Sequence, residues 1–337
     1  MIHEDMLKEV EVVLSGAMSS QEKGVIDSAV DAATSLLNAV PGENHVIYCL
    51  DKARESYTIE RKKHYCKRAI SLIREKDSLP YSDIIPSRWM NYPEVKTESI
   101  WIMKSRKRDE FHDASYWGNF VPQIPEQLIT RFSKAGEVIL DPFVGMGTTI
   151  AEARRLGRSV IGVELSGEII DKAREKLTKA GLLDSYVRVV KGDASKVTGE
   201  ALFGEWKRSV DLIIMHPPYH DIIRFSDNPD DLSNSKSVDH FLQRLKEVLE
   251  NLTGYLPAGR FLALVIGDKY SGGEWIPLGF LSMRVFQENG YLLKSIVVKN
   301  FEGTRGKRLQ ENLWRFRALK GGYYTFRHEY ILVFRKR

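Results

Sequence analysis

Residues 138–149, VILDPFVGMGTT, leave a chain of this kind few ways to fold. The run is apolar up to Asp141, breaks at Pro142 and passes through Gly145 and Gly147 into a helix-permissive TTIAEARRLG, so it reads as strand, tight glycine turn and helix. Glycines let a backbone approach a ligand closely, and free N–H groups at the start of a helix favour electron-rich groups. That is how an α/β sheet presents a nucleotide-like molecule. The next apolar run, 159–163, ends at the acidic Glu164, and 187–190 leads through Gly192 to Asp193. A carboxylate just past a strand suits ribose hydroxyls. Acids at three successive strand ends imply one ligand that carries both a ribose and an amine.

A glycine turn alone is a weak signal and leaves a nicotinamide-dependent dehydrogenase open. The distant stretch 210–219, VDLIIMHPPY, narrows the choice. Its buried strand stops at Pro217 and Pro218, which cannot continue a ladder and fix an extended turn, with Tyr219 immediately after them. A dehydrogenase has no use for that triplet. With both motifs in hand, the chain resembles the S-adenosylmethionine-dependent amino-methyltransferases of nucleic acids, which methylate the exocyclic nitrogen of cytosine or adenine. The family pattern DPFxGxGTT is matched at Asp141, Pro142, Phe143, Gly145, Gly147, Thr148 and Thr149, and its Pro-Pro-aromatic element at Pro217, Pro218 and Tyr219. His216 departs from the acidic or small polar residue usual before the prolines.

The resemblance implies S-adenosylmethionine as cofactor, with Asp141 near its amino-acid portion, Glu164 at the ribose and Asp193 at the adenine amine. Phe120, Pro122 and Pro125 stand where the family has an FxPxxP-like element before a helix that closes over the methionine end. His216 and the Pro217 carbonyl would accept hydrogen bonds from the target amine, and Tyr219 would stack on the base. Neutral imidazole can accept such a bond and imidazolium cannot, so an ordinary His216 would make activity fall between pH 8 and 5. The non-acidic residue before the prolines favours cytosine N4 over adenine N6. DNA is the favoured polymer, RNA such as ribosomal RNA is the alternative, and a non-catalytic nucleic-acid-binding module is a further one.

The expected architecture is α/β, a Rossmann-like, doubly wound, mostly parallel sheet with a small N-terminal helical domain. Residues 1–78 read as helices, with Ser19 or Ser20 capping a segment whose apolar residues include Val25, Ile26, Ala29 and Ala33. Residues 79–110, with Pro80, Pro86 and Pro93, read as a linker, and 111–337 as the catalytic domain. After Tyr219 comes a loop too polar for a core, then a helix over 238–253 and strands over 261–266, 291–298 and 330–334.

Net charge is a modest +5, but basic residues cluster beside aromatics. Lys62, Lys63 and Arg68 form one group, and Arg305, Lys307, Arg308, Arg315 and Arg317 another, which makes them candidates for phosphate contacts. No apolar run approaches a membrane span, and the acidic MIHEDMLKEV is no secretory leader, so a cytoplasmic protein is expected. Cys49 and Cys66 lack the spacing of a metal site and read as buried or idle thiols. Oligomeric state is not legible.

Overall fold

The computed structural model describes residues 2–38, 40, 42–75, 78–109, 111–112, 118–300 and 311–337, and they divide into two compact units, Met1–Lys96 and Thr97–Arg337. The boundary falls inside the stretch read from sequence as a linker.

In the first unit, α1 (Ile2–Ala17), α2 (Lys23–Leu37), α3 (Asn44–Glu55) and α4 (Ile59–Arg74) pack around one core. Leu7, Val10 and Leu14 on α1 and Ile26, Val30, Ala33 and Leu37 on α2 recur at helical spacing and are buried, together with Cys49 and Cys66. Val25 is exposed, and Val30 takes the core position. Ser20 does not cap α2: its hydroxyl accepts from the Glu22 N–H at 3.0 Å, and Glu22 itself occupies the cap position without a side-chain bond. Thr58 does cap α4, accepting from the Arg61 N–H.

Lys62, expected at a phosphate-binding surface, is 1% exposed. It points inward because α4 crosses the end of α3, where carbonyls lack helical partners. Its ammonium donates to Asp27 at 2.5 Å, to the Ala53 carbonyl at 3.0 Å and to the Arg54 carbonyl at 3.2 Å. Lys62 is therefore a structural cation that holds three helices together.

In the second unit, eight strands form one sheet: β1 (Ile100–Trp101), β2 (Val138–Asp141), β3 (Ser159–Glu164), β4 (Val187–Lys191), β5 (Leu212–Met215), β6 (Phe261–Ile266), β9 (Tyr291–Asn300) and β10 (His328–Lys336). Between β6 and β9 the short β7 (Lys269–Ser271) and β8 (Glu274–Ile276) pair as a separate hairpin. The sheet order is β1-β9-β10-β6-β5-β2-β3-β4. Strands β4, β3, β2, β5 and β6 are mutually parallel, β10 runs antiparallel to both β6 and β9, and β1 adds parallel to β9. The sheet is thus Rossmann-like and mostly parallel. The chain builds outward through β2, β3 and β4, then returns to lay β5 on the opposite side of β2. The junction of β2 and β5 is the point where the strand order reverses.

Both faces of the central strands are covered, which explains their continuous apolar runs. Leu140, Ile161, Ile213, Met215, Leu262 and Leu264 share a core with α9 (Val238–Thr253) and α10 (Leu278–Glu288). The alternate residues, including Ile139, Leu212, Ile214 and Ala263, are also buried, and Phe132 of α5 (Gln123–Phe132) stacks on Phe261 at 4.5 Å. Helices α6 (Thr148–Arg155), α7 (Gly167–Lys179) and the short α8 (Gly199–Phe203) fill the crossovers, and α11 (Glu311–Gly321) lies in a stretch with no periodic signal.

Replacing Lys62 with Ala unpairs Asp27 and the Arg54 carbonyl and leaves the Ala53 carbonyl with the Ser56 N–H alone, so a loss of roughly 2–4 kcal/mol is expected. A thermal melt followed by circular dichroism reads the stability, and the salt dependence of nucleic-acid binding is expected to stay unchanged.

Candidate active site

The glycine turn is shaped by its own residues. Gly145 and Gly147 have φ of +51° and +85°, a left-handed conformation that L side chains adopt at a cost of about 1–2 kcal/mol. Gly162 on β3 lets the turn settle against the sheet, because a Cβ there would lie 2.7 Å from Val144 Cγ2. The Val144 N–H donates to the Val163 carbonyl, the Phe143 N–H to Asp141 at 2.9 Å and the Gly145 N–H to Glu164 at 3.1 Å. These three N–H groups of the turn are engaged by the protein's own acceptors. Thr148 and Thr149 are buried in the first turn of α6.

Around this turn the carboxyl groups act on one another. Burial pushes the Asp141 carboxyl up to about 7 against the Thr149 hydroxyl and the Phe143 N–H, and Glu164 adds to the rise. Burial also raises Glu164, against N–H groups of Ser166, Gly145 and Leu165, and Asp231 reinforces it. Neither Asp141 nor Glu164 has a Lys or Arg partner among the described residues. A buried carboxyl pair of this kind favours a ligand that brings positive charge, as a sulfonium or ammonium group does. Asp193 differs: burial would raise it, but the Ser195 N–H and hydroxyl and the Lys196 ammonium hold it below its usual value.

Asp231 carried no signal in the sequence. It belongs to the polar loop after Tyr219, which is compact: Asp231, Leu232, Ser233 and Ser235 are buried, contrary to the expectation that this loop stays outside the core. Ser226 donates to Asp231 at 2.7 Å, and Arg244 on α9 donates to the carbonyls of Pro229 and Asp230. The side chains satisfy the loop's own backbone, which is how a polar segment becomes buried.

The His216-Pro217-Pro218-Tyr219 turn leaves β5 at the same sheet edge as the glycine turn leaves β2, because the two strands are parallel neighbours with Leu140 opposite Ile213. Phe120, expected at the cofactor, stacks on the His216 ring with centroids 4.6 Å apart, and Pro122 forms the buried N-cap of α5. His216 Nε2 lies 3.0 Å from the Tyr219 hydroxyl, which donates to Glu329 at 2.9 Å, and Glu329 pairs with Lys299 at 3.0 Å. Glu329 and Lys299 lie opposite each other on β10 and β9 and are buried. Burial lowers the His216 pKa to about 4, with Glu329 pulling it up and Lys299 pushing it down. Burial, then Glu329, raise the Tyr219 hydroxyl well above its ordinary range. Tyr219 rests against Gly267, where a Cβ would lie 3.0 Å from its ring. Next to it, His220 takes a φ of +54°, a conformation rare outside glycine, and pairs with Asp221 and Lys269.

Of the residues proposed for phosphate contacts, Arg68, Arg315 and Arg317 are exposed and Lys63 is half-buried, while Arg305, Lys307 and Arg308 lie outside the described residues. Among the described residues no cluster of His, Cys, Asp or Glu could hold a metal ion, and no helix is long and apolar enough to cross a membrane.

Such a sheet, with these two turns at its switch point, is Rossmann-like. Residues 44–175 match the family model described as DNA methylase, and 130–256 match that described as RMKL-like, methyltransferase domain. Each match covers less than half of the chain, and both models describe methylases or methyltransferases, to which these parts of the chain are similar. The chain is 38% identical over 84 residues to Type II methyltransferase M2.DpnII of Streptococcus pneumoniae, across 24% of this chain and 30% of that protein. It is 39% identical over 51 residues to Type II methyltransferase M.MjaII of Methanocaldococcus jannaschii, across 15% and 10% respectively. The matched stretches thus span less than a third of either relative. Among solved structures, the chain is similar to TrmN from Thermus thermophilus, at 21% identity and a TM-score of 0.44 over 66% of this chain and 51% of that one. It is also similar to a methyltransferase from Pyrococcus furiosus, at 19% identity and a TM-score of 0.41 over 64% and 83%.

Asp141→Asn gives a test of the electrostatics. The folded carboxyl titrates near 7 and an unfolded one near 3.8, so as pH rises from about 4 the unfolded chain loses its proton first and stability drains away until about pH 7. The variant, which keeps an acceptor for Phe143 without the charge, is expected to be more stable by roughly 2–4 kcal/mol at pH 8 and to lose that advantage by pH 4. Urea unfolding at the two pH values measures it.

Proposed function

We propose that this chain transfers the methyl group of S-adenosylmethionine to the exocyclic amino nitrogen of a nucleic-acid base, with cytosine N4 in DNA as the favoured target. The observation that carries the reading is the adjacency of the glycine turn and the His216-Pro217-Pro218-Tyr219 turn at the β2/β5 switch point. The description of the matched family model as DNA methylase supports DNA, and the non-acidic His216 supports cytosine.

When bound, the cofactor supplies an electrophilic methyl on a positively charged sulfur. The residues that would hold it are those of the glycine turn with Phe143, Gly145, Gly147, Thr148 and Thr149, the carboxyls of Asp141, Glu164 and Asp193, and the Phe120 segment. An exocyclic amine is a poor nucleophile because its lone pair is delocalised into the ring. His216 and the Pro217 carbonyl, held by the rigid prolines, accept hydrogen bonds from the two amine protons and draw the nitrogen toward tetrahedral geometry. Tyr219 offers an aromatic face to the base, and stacking of this kind returns roughly 1–3 kcal/mol of the unstacking cost. Lys63, Arg68, Arg315 and Arg317 are proposed to contact phosphates, and Arg305, Lys307 and Arg308 extend that proposal from sequence alone. Lys62, buried in the helical core, takes no part.

An imidazole held near pKa 4 stays neutral from pH 5 to 8, so the fall expected there for an ordinary histidine gives way to a flat profile. Its accepting role is lost as pH drops through about 4. Initial rates with the cofactor saturating at each pH check this.

Transfer of labelled methyl from the cofactor to DNA and to RNA, followed by mass spectrometry of the nucleosides, tests the function. N4-methylcytosine in the DNA arm is expected, and His216→Ala is expected to lower the rate on the order of 10²-fold. N6-methyladenine or an RNA product would reassign the target, and cofactor binding with no transfer to either polymer would leave a non-catalytic binding module.

A further inference from the structure

Among the described contacts of His216, only Nε2 takes a hydrogen-bond partner, and that partner heads a chain of buried groups. The Glu329 carboxylate can only accept, and it presents one oxygen to the Lys299 ammonium and the other to the Tyr219 hydroxyl. Tyr219 must therefore spend its single proton on Glu329 and can offer His216 only a lone pair. His216 must then carry its proton on Nε2, which leaves the lone pair on Nδ1. An apolar pair of similar volume would serve two neighbouring strands as well as a buried ion pair does. Stability thus gives no reason for Glu329 and Lys299 to face each other in the middle of a sheet.

We infer that Glu329 and Lys299 are positioning residues for His216, fixing its tautomer through Tyr219 so that Nδ1 is the acceptor for the target amine. The inference rests on the proposed methyl transfer for its purpose, though the tautomer itself does not. It explains how a histidine before two prolines can serve as a defined acceptor. An imidazole that chose its own tautomer would accept in only part of the population.

Glu329→Gln keeps the shape and reverses the chain. Lys299 retains the side-chain carbonyl, the amide NH2 turns toward Tyr219, and the Tyr219 proton turns to His216 Nε2, which forces the imidazole proton onto Nδ1. Nitrogen-15 NMR of labelled histidine is expected to show a protonated Nε2 and a bare Nδ1 in the wild type, and the opposite in Glu329→Gln. Methyl transfer in the variant should fall on the order of 10²-fold in kcat, with the KM for the cofactor unchanged. Tyr219→Phe removes the link without touching the ion pair, and is expected to give a mixture of tautomers should Glu329→Gln fail to fold. A wild-type imidazole protonated on Nδ1, or a tautomer unmoved in both variants, overturns the inference. A wild type with the expected tautomer and no methyl transfer to any nucleic acid leaves the positioning chain standing and removes the proposed function instead.

Discussion

The parallel pairing of β2 with β5 is the constraint on which the rest of the second unit depends. Both strands are buried on both faces, between α9 and α10 on one side and the α5 layer on the other, so neither can slide without exposing apolar side chains. Burial of each such side chain contributes about 1.5–3 kcal/mol, and a shift by one residue would exchange the two faces. Two loops that begin from strands held this firmly are fixed relative to each other before any ligand arrives. The glycine turn and the proline turn therefore leave one edge of the sheet side by side, as one candidate site, although 67 positions separate Thr148 from Met215.

The two halves of that site treat charge in opposite ways. Around the glycine turn, burial raises the proton affinity of Asp141 and Glu164, Glu164 adding to the rise at Asp141 and Asp231 to that at Glu164, and the fold forgoes stability at neutral pH to keep them there. Beside it, the proline turn is anchored to a compensated network in which Lys299 balances Glu329 and His216 remains neutral. A cation is welcome on one side and a neutral acceptor is maintained on the other. Low dielectric strengthens both effects, which is why the same residues on a surface would do neither.

Much of this was legible where the chemistry is local. Pro217 and Pro218 end a strand wherever they occur, Gly145 and Gly147 permit a left-handed turn, and the apolar periodicity over 238–253 gave α9 to the residue. Other features depended on contacts that no short window contains. Strands β9 and β10 were expected to stop at Val298 and begin at Tyr330, because Lys299 and Glu329 look like loop residues until they face each other across the sheet. Lys62 looked like a surface cation until the carbonyls at the end of α3 closed over it. The polar loop after Tyr219 looked solvent-bound until Arg244 and Asp231 satisfied its backbone.

The sequence by itself determined the elements, the two turns and the kind of ligand they suit, because backbone permissiveness, proline geometry and hydrophobic period are properties of a few neighbouring residues. Tertiary structure alone decided the protonation of the site. The pKa of His216, the state of Asp141 and the buried partnership of Glu329 with Lys299 arise from desolvation and from charges brought together across β5, β9 and β10. Those energies depend on distance and dielectric in the folded chain, and neither quantity exists until the sheet has formed.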